Sequence, residues 1–178
     1  MRIWLAILLI LALAPSAWAD VSSGPKVGDK IPPLPVFAAT GEFKDKTVDL
    51  AKERGDKPAV YVFVQAEHWG RPMFRFIKKL DEGIPEEVKD AAVVAVWLGE
   101  KPDDYKEYLP KISQYFSAAA LTVFTGEKAG PKDWGINLDA HITVVVAAKG
   151  KVAAAFGFQS VNDTDAPMVR DALKNAVK

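Results

Sequence analysis

Three features of this sequence predict an α/β fold, a three-layer sandwich in which helices cover both faces of a central mixed β-sheet. Apolar runs of strand length, rich in valine, recur at 59–64, 92–98 and 142–147, as strands buried on both faces do. Between the first two, and again after the second, apolar residues repeat at helical spacing. The chain then closes on a second strand beyond Lys149-Gly150 and an amphipathic helix. Strands alternating with helices imply a parallel or mixed sheet, and no internal repeat divides the chain.

Each element has a local reason. Residues 20–35 are rich in Ser, Gly, Pro and Lys and predict an extended lead-in. Val36 to Ala39 is a short strand, turned at Thr40-Gly41, and Thr47 to Leu50 is a second short extended piece. Ala59 to Val64 is the central strand. Pro72 is suited to open a helix, and Met73, Phe76, Ile77 and Leu80 place one apolar stripe on a helix over 72–82. Ala92 to Leu98 is the next buried strand, closed by Gly99. Tyr105, Tyr108, Leu109, Ile112, Tyr115 and Phe116 then share a helix face that Pro110 must kink or divide. An aromatic stripe of this kind is expected in the core. Leu121 to Phe124 is a strand. Lys149-Gly150 predicts a hairpin turn joining 142–147 to 152–156. Val169, Ala172, Leu173, Ala176 and Val177 make the last helix, capped by Thr164 or Asp165 with Pro167 in its first turn.

The N-terminus predicts export. Arg2 gives a positive start, Ile3 to Ala14 is apolar throughout, and Pro15-Ser16 ends the run before Ala17-Trp18-Ala19. Small residues at 17 and 19 suit signal-peptide cleavage between Ala19 and Asp20. The run falls short of the roughly 20 apolar residues a membrane span needs. A signal peptide over 1–19, a lead-in over 20–35 and one domain over 36–178 follow, in a protein that is periplasmic or extracellular once cleaved. No membrane span is expected in the mature chain.

The 178 residues carry 23 basic and 23 acidic side chains, 2 histidines and no cysteine. Balanced charge without a basic block argues against nucleic acid as a partner. An exported domain without cysteine has no disulfide to lean on, but a chain of this size can bury a sufficient core.

Several stretches resemble one family. Val27-Gly28-Asp29-Lys30-Ile31-Pro32 is similar to the lead-in of redoxins, and Val60 to Ala66 is similar to the strand before their redox loop. Trp134-Gly135-Ile136, His141 to Val146 and Lys149-Gly150-Lys151-Val152 resemble their C-terminal hairpin region. The chain thus looks like a degenerate member of the thioredoxin-like redoxins, including the peroxiredoxin-like proteins, and the resemblance implies their thioredoxin-like sandwich. Redox-active relatives carry a cysteine, or two, at the head of the helix after the central strand, where free N–H groups favour a thiolate. Here His68-Trp69-Gly70-Arg71 stands at that place. Opposite, where relatives hold a cis-proline, the chain has Ala140-His141. A cis bond before a non-proline residue costs about 2.5–4 kcal/mol, so a trans loop is expected.

The resemblance brings the two histidines to facing loops. It implies a binding edge built from His68, Trp69, Arg71, Trp134, Asp139 and His141, engaging an exported protein or a small ligand, with no cofactor. The alternative is a metal site on His68, His141 and Glu67, or an acid–base pair. The competing reading of each residue is inert: a loop histidine, a solvated arginine at a helix start, a core tryptophan. No phosphate loop, G-x-S-x-G elbow or H-E-x-x-H stands in the chain, and Gly126 to Gly130 is an exposed turn. Asn162-Asp163-Thr164 matches a glycosylation sequon.

Overall fold

The computed structural model describes residues 21–178, so the proposed signal peptide and its cleavage point lie outside the described residues. The strands are β1 (Pro35–Ala38), β2 (Lys46–Asp49), β3 (Ala59–Gln65), β4 (Ala92–Leu98), β5 (Ala120–Val123), β6 (Ile142–Ala148) and β7 (Lys151–Phe158). The helices are α1 (Leu50–Arg54), α2 (Arg71–Glu87), α3 (Pro102–Ile112) and α4 (Ala166–Val177). The strands form one mixed sheet in the order β2-β1-β5-β4-β3-β6-β7. Parallel pairing runs through β3, β4 and β5, whereas β6 lies antiparallel to β3.

The sheet has a core on each face. Val60, Val62 and Val64 of β3 point to one side, beneath Phe76, Ile77 and Leu80 of α2, Leu109 of α3, and Val169 and Leu173 of α4. Two right-handed crossovers that step the same way across a sheet place their helices on the same face, which accounts for α2 and α3 together. Ala59, Tyr61 and Phe63 point to the other side, where Leu50 and Ala51 of α1, Leu34 of the lead-in and Trp134 cover them. Helices therefore lie on both faces, with the longer ones on one. Alternation along β3 feeds both cores at once, and each fully buried Val, Leu, Ile or Phe side chain contributes about 1.5–3 kcal/mol.

Several boundaries differ from those the sequence predicts. α2 runs past its expected end at residue 82, through Pro85 to Glu87, because Ile84 adds a further buried apolar contact to its stripe and Val88 is buried at its C-cap. α1 is not evident in the residue pattern. Its start is fixed by Asp49, whose Oδ1 accepts the N–H of Lys52 at 3.1 Å and of Leu34 at 2.8 Å. After Pro110 the α3 helix ends at Ile112 and tightens into a 3₁₀ turn over Ser113–Tyr115, so the proline divides the segment. The aromatic stripe is a core face only in part: Leu109 is fully buried and Tyr105, Ile112 and Phe116 pack against the core, whereas Tyr108 and Tyr115 stand 37% and 51% exposed. The last helix caps at Asp165, one of the two positions expected, with Pro167 in its first turn, and a 3₁₀ turn over Asp163–Asp165 leads into it with a cap of its own at Asn162. Asn162 accepts the Thr164 N–H, and Asp165 answers the Asn162 N–H, in a capping box before α4.

The hairpin of β6 and β7 turns on Lys149 and Gly150, both at positive φ (55° and 70°) as a two-residue turn of this hand requires. A Cβ at Gly150 would also meet the Asp56 carboxylate at 2.6 Å. The lead-in is strapped along the β6–β7 edge of the sheet, from one end of the hairpin to the other. The Val21 N–H donates to Gly157 O, the Gly28 N–H to Val152 O, and the Ser23 hydroxyl lies 2.6 Å from that of Thr143.

A buried carboxylate closes the other end of the fold. Asp81 of α2 is 1% exposed. Its Oδ1 accepts the N–H groups of Ala118 (2.8 Å) and Ala119 (2.6 Å), and its Oδ2 accepts the N–H and hydroxyl of Ser117 (2.8 and 3.1 Å). These bonds fix the approach to β5.

Candidate functional site

The site grows from the end of β3. All seven residues of that strand are buried, and its last N–H, on Gln65, donates to the carbonyl of His141 at 3.0 Å. That bond ties the end of β3 to the loop entering β6. Ala66–His68 then makes a single 3₁₀ turn, closed by the Trp69 N–H on Ala66 O (3.2 Å). Gly70 is fully extended (φ −167°) before Arg71 and Pro72 open α2, and the Phe74 N–H returns to its carbonyl at 3.0 Å.

Those two connections bring His68 and His141 together. Their rings stack with centroids 3.5 Å apart and planes inclined by 14°. Among the described residues no peptide bond is cis, so the loop at Ala140-His141 is trans. The lone pairs of an imidazole lie in its ring plane, so an ion shared by both rings must sit near both planes, at about 2.0–2.1 Å from each nitrogen. Nearly parallel planes at the observed separation do not meet within that reach. As stacked, the pair cannot grip one ion, and among the described residues no three His, Cys, Asp or Glu side chains converge as a metal cluster.

Glu67 is turned elsewhere. Its Oε1 lies 3.8 Å from His68 Nε2, beyond hydrogen-bond length, and its Oε2 accepts Lys128 Nζ at 3.1 Å. That carboxylate holds the Lys128 ammonium above its ordinary pKa, chiefly through the hydrogen bond. Asp139 is exposed, and its N–H donates to Asn137 Oδ1. Neither carboxylate therefore orients an imidazole as a general base requires.

The two tryptophans separate cleanly. Trp69 is half-buried: it packs edge-on against Trp97 (4.9 Å, 66°), and its indole N–H donates to the exposed Tyr108 hydroxyl at 2.9 Å. Phe74 continues this aromatic run to Tyr115 at 5.8 Å. Trp134 is not part of the edge, contrary to the expectation from sequence. It is fully buried between Tyr61 and Phe63, and its N–H donates to Pro33 O at 3.0 Å. The lead-in, passing over the indole, is what removes it from solvent. Arg71 is exposed at the first position of α2. The structure thus joins His68 to His141 and Trp69 to Tyr108, for which the sequence predicts a place in the core, while Arg71 and Asp139 stand exposed on the adjoining segments.

No protein-family model and no curated protein matches this chain. Solved structures do. A protein assigned as the thiol:disulfide interchange protein DsbE from Chlorobium tepidum aligns at a TM-score of 0.61 with 21% identity, over 86% of this chain and 99% of that one. The fold is thioredoxin-like. Reduced Prx3 in complex with H2O2 from Vibrio vulnificus aligns at 0.64 with 12% identity, over 83% and 98%. The exposed lipoprotein thioredoxin Etrx1 from Streptococcus pneumoniae aligns at 0.55 with 13% identity, over 79% and 99%. At these identities the likeness is one of fold. This thioredoxin-like domain has no cysteine anywhere in its sequence, and thiol–disulfide exchange and thiol peroxidation both need a thiolate. It is a degenerate version of the fold, without that chemistry. No helix among the described residues is long and apolar enough to cross a membrane.

Proposed function

We propose that this chain is an exported, non-catalytic binding module. It engages a partner protein or a small ligand through the edge formed by His68, Trp69, Arg71, Asp139 and His141. The observation that carries this reading is the His68–His141 stack, which packs two loops against each other beside the half-buried Trp69. Exposed Tyr108, Tyr115 and Arg71 flank it. Trp, Tyr and Arg side chains are enriched among the few residues that dominate binding energy. Export is supported by the apolar run over 3–14 and the Ala17-Trp18-Ala19 site. One structural neighbour is itself described as an exposed lipoprotein.

The test is capture from the exported fraction, with the native chain and a Trp69→Ala/Arg71→Ala double variant as paired baits. A partner retained by the native chain and lost with the folded double variant supports the reading. Equal retention by both places binding elsewhere and overturns it. Insulin reduction and peroxide turnover should both be blank for the native chain. The intact mass of the exported protein should begin at Asp20.

A further inference from the structure

On the other side of the Ala66–His68 turn lies a cleft of about 260 Å³, lined by Gln65, Leu98, Gly99, Tyr105 and Lys128 among others. Gln65 is 2% exposed, yet neither its side-chain oxygen nor its side-chain nitrogen has a hydrogen-bond partner among the described residues. Gln65 closes β3 opposite Leu98 of β4, at the carboxyl ends of two parallel strands. Six apolar residues precede it in the strand, all buried, and a leucine in its place would fill the same position without an unpaired amide. Buried polar side chains are nearly always paired, so an orphaned one in the wall of a cleft calls for an explanation.

We propose that this cleft binds an amide, and that the Gln65 carboxamide recognises it. A carboxamide presents one donor and one acceptor in a single plane. Its complement is a second coplanar donor–acceptor pair, which a primary amide supplies and which the N–H and C=O of one residue in an extended peptide also supply. A carboxylate or an ammonium answers only half of it. The charges at the mouth agree with a neutral ligand. Lys128 is held between Glu67 (3.1 Å) and Glu100 (3.8 Å), with Lys101 beside them, so acids and bases offset each other. Leu98, Ala66 and the Tyr105 ring provide apolar wall for a short alkyl group. The Tyr105 hydroxyl occupies the space above Gly99, where any Cβ would overlap it, so glycine there lets the ring wall the cleft. The cavity is smaller than those that take drug-sized ligands and suits about one amide unit. This cleft adjoins the His68–His141 edge through Glu67 and the Gln65 backbone but shares none of the residues proposed for that edge, so its failure leaves that reading untouched.

The experiment is an NMR titration of the ¹⁵N-labelled chain, following the Gln65 side-chain NH₂ pair and the Gly99 amide. Acetamide, N-acetylalanine N-methylamide and sodium acetate are the three probes. Saturable shifts at Gln65 are expected with the amides, with acetate at least tenfold weaker. Tighter binding of N-acetylalanine N-methylamide assigns the site to peptide, and tighter binding of acetamide assigns it to free amides. In Gln65→Leu the affinity should fall at least tenfold, while the urea midpoint holds or rises because an unpaired amide is gone. Native-chain resonances that do not move, or a Gln65→Leu chain that binds as well, overturn the proposal. The native titration decides the matter alone if that variant does not fold.

Discussion

Replacing Asp81 by asparagine changes one atom and should unfold the chain markedly more easily. Its carboxylate accepts four hydrogen bonds, three from consecutive backbone N–H groups and one from the Ser117 hydroxyl. An amide offers only one acceptor oxygen. The better pose keeps that oxygen at Oδ1, against Ala118 and Ala119, and turns its NH₂ toward Ser117. The hydroxyl of Ser117 can rotate to accept from the NH₂, but the Ser117 N–H then faces a donor. Leaving one such group unpaired costs about 1–3 kcal/mol. The bonds that survive lose their charge assistance, which is worth about half of each. The sum is about 3 kcal/mol, equivalent to a fall in Tm of roughly 6–12 °C for a chain of this length. Asp81→Ala should cost more, since every donor is orphaned. Ser117→Ala, which removes only the 3.1 Å bond, should cost under about 1 kcal/mol. Urea unfolding followed by tryptophan fluorescence measures all three at constant m. An asparagine variant within about 0.5 kcal/mol of the native chain refutes the reasoning. So does a Ser117→Ala cost equal to it, because then the backbone bonds contribute nothing.

Tyr61 lies in the core beneath the lead-in, and burial is the main cause that raises its phenol pKa well above the ordinary value. The unfolded chain therefore loses this proton first as pH rises. The stability it contributes is complete below about pH 10 and is lost progressively above that. Tyr61→Phe should flatten that alkaline decline in urea midpoints, and an unchanged slope counts against a buried, protonated phenol. Gly157→Ala should detach the start of the lead-in, because its Cβ would overlap the Val21 carbonyl oxygen. Hydrogen exchange at Val21 and Gly24 should accelerate while that of β3 holds, and uniform acceleration would place the damage in the sheet instead.

How much of this is legible in the sequence follows from what each pattern measures. The β3, β4 and β6 strands are visible as apolar runs because they are buried on both faces. Gly83 and Pro85 mask the last turn of α2, since backbone propensity disfavours a helix there while the packing of Ile84 favours it. The aromatic stripe of α3 shows a different limit. Periodicity reveals that residues share a face, not what that face meets, and here it meets solvent at Tyr108 and Tyr115. Trp134 is misplaced by its sequence context because nothing local marks the lead-in as its cover. The meeting of His68 and His141 becomes legible only through likeness to a fold. Gln65 is a signal that the pattern does carry: a single amide ending an otherwise apolar, buried run.

The arrangement also explains how such a fold keeps its shape with no thiol at the head of α2. Little of the core passes through residues 68–71. His68 and Arg71 are exposed, Gly70 contributes backbone, and only Trp69 rests on the core, through Trp97. The groups that hold the surrounding framework lie elsewhere: the two cores on either face of β3, the Asp81 carboxylate under the approach to β5, and the Gln65–His141 backbone bond that ties the two loops. That last bond involves no side chain, so it does not depend on which side chains stand at those positions. The tie between the loops therefore does not rest on the side chains at 68–71, and substitutions at the helix head are expected at small cost to stability. A binding surface built there can change its specificity without passing through an unfolded intermediate, provided that Asp81 and the β3 strand are left alone.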